Sequence, residues 1–293
     1  ENRQAEIRNR GVKSSWDHFT GEMQDLRKRI DKTGGKGVVF LTEISTSPTL
    51  KAQFKELQRK NPHLQWIQYE PISSDRVQRT AKEVFGQTCV PVYHLDQAEM
   101  IVSLDADFFG SAIYPTSYTT DFFQRRSQAK AGSPLPQLMV VEPTPSLTGA
   151  WTPDRLILKS SQFPSFCQTL WQQLHGQKSE NENHFIQQIK TAVSSFPGRC
   201  VFMAGIHQPD IVHEICHRLN FEFGKKAVAY RLVSPSSFGQ KDLKNLSTQL
   251  EKSEIEALFV IGGNQAYQSP VALNFGQKLG QAKSSYRFSM NED

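Results

Sequence analysis

Two short apolar runs that break abruptly into small and polar residues constrain the fold of this 293-residue chain most strongly. The first lies in EMIVSLDADFFGS (Glu99–Ser111) and the second in ALFVIGGNQAYQSP (Ala257–Pro270). Each run is rich in Val, Ile and Leu, which is typical of a buried parallel strand that opens into a loop at its carboxyl end. Ligands of open α/β sheets bind outside such strand ends, so the runs predict two α/β units that face a shared crevice.

Amphipathic helices and short apolar strands follow one another along the rest of the chain. Examples are helices at 15–30, 75–85 and 210–219 and strands at 38–42, 100–104 and 200–203. This alternation predicts an α/β fold of two doubly wound, mainly parallel-sheet units. The polar segment 175–183 is the best candidate for their boundary. We therefore expect a first α/β unit with an N-terminal helix at 1–178 and a second α/β unit at 179–293.

Charge and hydropathy argue against two classes of function. The net charge is +5, but the basic residues are spread over helix-like stretches such as Lys51–Lys60. A nucleic-acid-binding protein usually gathers them into one patch, so we expect no nucleic-acid partner. No apolar run reaches the ~20 residues that cross a bilayer, so we expect no direct membrane span in this segment.

The spacing of the cysteines argues against an iron–sulfur cluster or a zinc site in this segment. Cys89, Cys167, Cys200 and Cys216 are scattered, and no pair of them has CxxC spacing. Iron–sulfur clusters and zinc ribbons are usually held by closely spaced cysteines. We expect these four to fill apolar sites and to hold no metal.

The loops after the two apolar runs carry the candidate binding residues. Asp105 and Asp107 follow a strand, where a carboxylate accepts hydrogen bonds from a ribose, although Asp is also a common turn and cap residue. Gly262 and Gly263 would let the backbone approach a phosphate closely, and Asn264 supplies a two-way amide. A plain tight turn is the alternative, because the segment matches neither GxGxxG nor a Walker A loop.

The segment 213–217 formally matches HExxH, a zinc-peptidase signature. In the predicted helix the apolar residues share one face, and His213 and His217 project from the opposite side. No third ligand is evident, since Glu222 is too close along the chain. A metallohydrolase that uses these two histidines is nevertheless the third hypothesis for the function, because the motif itself matches.

Five sequence runs occur together and in order, and they carry a resemblance to a known family. They are VVFLTEISTSPTL (38–50), WIQYEPIS (66–73), VSLDADFFGS (102–111), VVEPTPSLTGAWTPDRL (140–156) and FVIGGNQAYQSPVALNF (259–275). The chain resembles the molybdopterin-oxidoreductase-like region of the iron–sulfur subunit of bacterial alternative complex III, a quinol:electron-acceptor oxidoreductase. The resemblance covers roughly 16–293.

The resemblance implies a role inside an electron-transport assembly of the respiratory chain. The region has the fold of molybdenum-cofactor subunits but holds no molybdenum, and iron–sulfur clusters are expected in a C-terminal domain that this sequence does not include. The resemblance further implies a periplasmic position at the bacterial inner membrane and contact with the other subunits of a membrane-bound respiratory complex.

We therefore interpret the chain as a non-catalytic scaffold segment of an iron–sulfur electron-transfer subunit. The alternative is a fragment of an active molybdenum oxidoreductase that binds a pterin dinucleotide. Asp105, Asp107, Gly262, Gly263 and Asn264 would be its vestigial cofactor-binding residues. No Lys or Arg adjoins these loops in the sequence, and carboxylates there would repel phosphate, so we expect the binding space to be empty or filled by side chains. A docking role also predicts an exposed apolar patch, with Phe108, Phe109, Ile113, Tyr114 and Trp151 as candidates.

Overall fold

The computed structural model describes residues 6–129, 135–177, 183–233 and 240–290. The chain divides into two compact units, which do not follow each other in the sequence. One combines Glu1–Ser73 with Ser236–Asp293 and is called the split unit below. The other is Ser74–Pro235, called the inserted unit.

Helices and strands alternate through both units. The helices are α1 (Trp16–Thr33), α2 (Pro48–Lys60), α3 (Asp75–Phe85), α4 (Thr116–Ser127), α5 (Phe163–Leu174), α6 (His184–Ser195), α7 (Asp210–Phe223), α8 (Gln240–Glu251), α9 (Gln265–Gln268) and α10 (Phe275–Leu279). The strands are β1 (Arg8–Asn9), β2 (Val12–Lys13), β3 (Val38–Thr42), β4 (Gln65–Gln68), β5 (Cys89–Tyr93), β6 (Met100–Leu104), β7 (Gln137–Glu142), β8 (Arg155–Ile157), β9 (Cys200–Ala204), β10 (Val228–Leu232), β11 (Ala257–Ile261) and β12 (Ser284–Phe288). Among the described helices, none is both long and apolar enough to cross a membrane.

The split unit is built on a four-stranded parallel sheet with the order β12-β11-β3-β4. Alternate side chains of β3 and β11 point to opposite faces, as the two-residue period of a strand requires. Val39 and Leu41 pack with α8 and α10 on one face, whereas Val38 and Phe40 pack with α1 and α2 on the other. Both faces are covered, which explains the continuous apolar runs of β3 and β11.

The inserted unit has a parallel sheet with the order β8-β7-β6-β9 and a separate antiparallel pair, β5 and β10. Met100, Val102 and Leu104 of β6 pack with α5, α6 and α7. Ile101 belongs to a second core with α4 and β10. Helices on both faces of each parallel sheet confirm the predicted α/β class with doubly wound, parallel-sheet units.

The two units divide the chain differently from the boundary predicted at 178/179. That boundary itself lies outside the described residues, but α5 before it and α6 after it pack into one core of the inserted unit. The polar segment therefore joins two helices of the same unit. The split unit instead takes β3 and β4 from the start of the chain and β11 and β12 from its end.

Candidate functional site

In each parallel sheet the strand order reverses at one pair of neighbouring strands. The pair is β6 and β9 in the inserted unit, and β3 and β11 in the split unit. Such switch points leave an opening at the carboxyl ends of the strands, where doubly wound proteins bind ligands. Asp105 and Asp107 follow β6, and the segment Gly262–Asn264 follows β11, so all five predicted site residues lie at a switch point. Because they belong to different units, the common cleft stays a prediction.

Asp105 ends β6 in the left-handed backbone region, with φ 58°. A non-glycine residue adopts this region at a cost of about 1 kcal/mol, and Asp is among those that tolerate it best. Its Oδ2 atom accepts hydrogen bonds from His207 Nε2 at 2.6 Å and from Gln208 Nε2 at 2.9 Å. Both partners follow β9, so the chain's own side chains contact the predicted binding carboxylate.

The loop that carries His207 is held from several sides. Arg76 of α3 donates to the carbonyl oxygens of His207 and Gln208 at 3.1 and 3.3 Å. Arg79 donates to both carboxylate oxygens of Asp210, each at 2.7 Å. A side chain at Gly205 would overlap the Asp105 carbonyl oxygen. The loop therefore has little freedom to rearrange.

The Asp107 carboxylate takes part in the chain's own hydrogen bonds. Its Oδ1 atom accepts hydrogen bonds from the backbone N–H of Thr148 at 2.9 Å, from the Thr148 hydroxyl at 2.7 Å and from the Gly110 N–H at 3.2 Å. The Thr148 hydroxyl also accepts from the Phe109 N–H at 3.1 Å. Asp107 thereby joins the loop after β6 to the loop after β7.

Glu142, the last residue of β7, anchors the loop that follows this strand. Its carboxylate is 1% exposed and accepts hydrogen bonds from the Ser146 hydroxyl and from Arg155, whose terminal nitrogen lies 2.6 Å from Oε1. A Cβ atom at Gly149 would overlap Oε1. No basic residue adjoins these loops in the sequence, but folding brings Arg155 of β8 against Glu142.

The glycines of the split unit lie in the left-handed region, Gly262 at φ 68° and Gly263 at φ 51°. The space above Gly262 is filled, since a Cβ atom there would lie 2.9 Å from Glu43 Oε2. Asn264 caps α9 by accepting from the Tyr267 N–H at 3.2 Å. The segment is thus a tight turn with a helix cap, and a carboxylate covers the glycine that would approach a phosphate.

Gln265 is an exception to the good hydrogen bonding of these loops. Its side chain is 1% exposed, and neither amide atom has a hydrogen-bond partner among the described residues. Its Nε2 atom lies 2.6 Å from the place that a Cβ atom at Gly263 would occupy. Each unmet buried polar group costs about 1–3 kcal/mol, so this turn carries a local penalty.

His213 and His217, the two histidines of the HExxH match, lie on α7 and are buried. His217 uses both ring nitrogens, Nδ1 with the Tyr230 hydroxyl and Nε2 with the Val77 carbonyl oxygen, each at 3.1 Å. Burial lowers the pKa of His213 and of His217 to about 4. His217 is therefore a packing residue with no lone pair left for zinc. Among the described residues, no group of three or more His, Cys, Asp and Glu side chains is placed to hold a metal ion.

The predicted apolar patch is only partly present. Ile113 and Trp151 are 54% and 51% exposed. Phe108 is buried, and Phe109 and Tyr114 pack against the same core. The aromatic residues after β6 therefore serve mainly to close the inserted unit.

Sequence reasoning missed the residues that complete the site. His207 and Gln208 contact Asp105, and Glu43 lies against Gly262. Arg155 contacts Glu142, which supports the loop joined to Asp107. A signal existed for His207 and Gln208, because they follow the apolar run of β9 as Asp105 follows β6. Applying the strand-end argument to every apolar run would have found them.

No protein-family model matches the sequence, and no curated protein matches it either. Solved structures do share its fold. Acetylene hydratase from Pelobacter acetylenicus superposes with a TM-score of 0.60 and 11% identity, covering 98% of this chain and 52% of that chain. A chain of the formyltransferase/hydrolase complex from Methylorubrum extorquens gives a TM-score of 0.55 and 10% identity, covering 91% of this chain and 78% of that one.

These similarities concern the fold alone. The chain spans about half the length of the acetylene hydratase chain that it matches. Acetylene hydratase is a molybdopterin enzyme, so the fold is distantly similar to that of a molybdenum enzyme.

Proposed function

We propose that this chain is a non-catalytic, molybdopterin-oxidoreductase-like scaffold segment of an iron–sulfur electron-transfer subunit. The assembly would be alternative complex III, on the periplasmic side of the bacterial inner membrane. The fold similarity to a molybdopterin enzyme and the five sequence runs support this assignment. One observation carries it: the residues that would hold a cofactor, Asp105, Asp107 and Gly262, each have other groups of the chain itself against them.

A pterin dinucleotide would bring two phosphates to these loops, and the residues present do not fit them. Phosphate groups need backbone N–H groups or basic side chains aimed at them. Here the Glu43 carboxylate covers Gly262, and the Asp107 carboxylate already accepts the N–H groups of Gly110 and Thr148. An added phosphate would meet like charge at both positions, so no molybdenum-dependent step is assigned to this chain.

A scaffold must present a surface to its neighbours, and the inserted unit has candidates for one. Ile113, Leu147, Trp151 and Ile157 are each at least half exposed and lie in or beside the loops after β6 and β7. These loops are rigidly held by Asp107 and Glu142, which lowers the entropy cost of docking. The other subunits of the respiratory complex are the proposed partners, and the iron–sulfur clusters would reside in a C-terminal domain.

Calorimetric titration with a pterin guanine dinucleotide tests the closed loops. We expect no binding at micromolar or tighter affinity. The matched variant Glu43→Ala removes the carboxylate above Gly262, and any gain of affinity in it would identify that carboxylate as the obstacle. Micromolar binding by the wild-type chain would contradict the scaffold and favour the alternative, a fragment of an active molybdenum oxidoreductase.

Affinity purification of the tagged chain from a bacterium that encodes it tests the partner assignment. We expect iron–sulfur and membrane subunits to co-purify, and the pair Ile113→Asp and Trp151→Asp to weaken their recovery. The exposed variant Val12→Asp in the split unit is the control. Recovery of the chain without respiratory subunits would contradict the assignment.

A further inference from the structure

We propose that His207 is a nucleophilic base that accepts acyl groups from small activated acyl compounds at the switch point of the inserted unit. This inference is independent of the scaffold role, in which non-catalytic means that the chain carries out no molybdenum-cofactor chemistry. It uses a group that neither the fold similarity nor the sequence runs single out.

The Asp105 carboxylate fixes the tautomer of His207. An ionised carboxylate can only accept hydrogen bonds, so in the neutral ring the contact of 2.6 Å places the single imidazole proton on Nε2. Gln208 Nε2, which lies 3.2 Å from the same ring nitrogen, then donates to Asp105 instead. The lone pair then lies on Nδ1, which makes no hydrogen bond with any described residue. The His207 side chain is 57% exposed, so small molecules in solution can reach this lone pair.

The carboxylate is itself held in place. Gln208, 2% exposed, donates Nε2 to the same Asp105 Oδ2 atom at 2.9 Å. Asp105 has only 19% of its side chain exposed and a strained backbone, with φ 58°. Strained residues of this kind gather at active sites, because the surrounding structure must hold them in position.

The His207 ring is also packed on one side. A Cβ atom at Gly205 would lie 2.7 Å from His207 Cε1, so the ring rests directly on the glycine backbone. Arg76 donates a hydrogen bond to the His207 carbonyl oxygen and so fixes the backbone that carries the ring. A base oriented by a carboxylate and mounted on a fixed loop is the arrangement that activates histidine in enzymes.

The reaction with an aryl ester balances without a further reagent. The Nδ1 lone pair forms a bond to the acyl carbon, and the bond to the aryloxide oxygen breaks, so that the aryloxide leaves with the electron pair. Asp105 stabilises the positive charge on the acylated ring through Nε2–H. Water then adds to the acyl carbon, one proton passes to solvent, and the free carboxylic acid and neutral His207 are released.

Hydrolysis of 4-nitrophenyl acetate by the full chain tests the proposal, together with peptide mapping of diethyl pyrocarbonate modification. We expect His207 to react about tenfold faster than the exposed His184 in the same sample, and His207→Gln to remove most of the turnover. His184→Gln is the matched control and should leave turnover unchanged.

Asp105→Asn examines the positioning role, since Asn also tolerates the left-handed backbone. We expect about a tenfold loss of His207 reactivity, and ¹⁵N imidazole shifts that change from a single Nε2–H tautomer to a mixture. Equal modification rates at His207 and His184, or turnover that persists in His207→Gln, would overturn the proposal. A wild-type tautomer in Asp105→Asn would overturn the part assigned to Asp105.

Discussion

The two units reach a doubly wound sheet by different strand orders and secure their strand-end loops by different means. Numbered along the chain, the split unit has the order 2-1-3-4 and the inserted unit 3-2-1-4. In the inserted unit, the carboxylates of the half-buried Asp107 and the buried Glu142 hold the loops through hydrogen bonds. In the split unit the turn depends on two glycines at positive φ and leaves Gln265 unsatisfied. Two similar sheets can therefore stabilise their strand-end loops differently. Carboxylate hydrogen bonds fix the loops of the inserted unit, whereas backbone conformation fixes the turn of the split unit.

The largest difference between the units should appear on acidification. Burial lowers the pKa of His213 and His217, both in the inserted unit, to about 4, below the ordinary value of 6.5. The neutral rings stabilise the fold above about pH 6.5, and this stability is lost as the pH falls towards 4. From pH 7 to pH 5 we expect the inserted unit to lose about 2 kcal/mol for each histidine.

Hydrogen exchange during urea unfolding measures this loss for each unit separately. His213→Gln should reduce the difference between pH 7 and pH 5, whereas His184→Gln, which changes an exposed ring, should not. An equal loss in both units would assign the acid sensitivity to other groups.

Removing the partner of the buried carboxylate should have the next largest effect. Arg155→Met leaves Glu142 buried with only the Ser146 hydroxyl, and breaking such a pair costs about 3 kcal/mol. Arg218→Met breaks the exposed pair with Glu214 in the same unit and should cost under about 0.5 kcal/mol. Denaturant titration of both variants compares the two values. Similar values would mean that Arg155 does not hold the loop.

Two glycine substitutions distinguish a loop that is stabilised by side-chain packing from a turn that is stabilised by backbone conformation. Gly149→Ala places a methyl group against the buried Glu142 carboxylate and should cost about 2 kcal/mol. Gly262→Ala meets only the end of the exposed Glu43 side chain, so its cost should be the conformational term of about 1 kcal/mol. Thermal unfolding gives the order, and a reversed order would contradict the comparison.

The smallest effect is expected at the unsatisfied amide. Gln265→Leu removes two unmet polar atoms and should be neutral or stabilise the split unit by about 1 kcal/mol. Gln68→Leu is the counterpart in the same unit, because Gln68 is also buried but accepts the Ser45 N–H at 2.9 Å. It should destabilise by about 1 kcal/mol. Equal destabilisation by both changes would show that Gln265 is satisfied in solution.

The elements that the sequence predicted well are those with a strong local pattern. The apolar runs of β3, β6, β9 and β11 mark strands buried on both faces, and their patterns sufficed to find them. The edge strand β12 has no such run, since its residues are mostly exposed. The short helix α10 begins after Asn274, which takes φ 46°, a conformation that periodicity cannot indicate.

The candidate site was predictable on one side only. Asp105 could be placed at a strand end because its own strand is evident in the sequence. Its partner His207 lies 102 residues further on and reaches it only because β9 pairs with β6. The division into units was missed for the same reason, since the pairing of β3 with β11 depends on tertiary structure.

The insertion of one unit into the other has a consequence for synthesis on the ribosome. Strand β3 emerges early, but its neighbour β11 begins more than 180 residues after β4 ends, roughly 10–40 s later at usual translation rates. During that interval one edge of β3 has no strand to pair with, while the complete inserted unit is free to fold. The nascent split unit therefore depends on its last 60 or so residues for closure, and a ribosome that stalls late would release a chain with an open, aggregation-prone sheet edge.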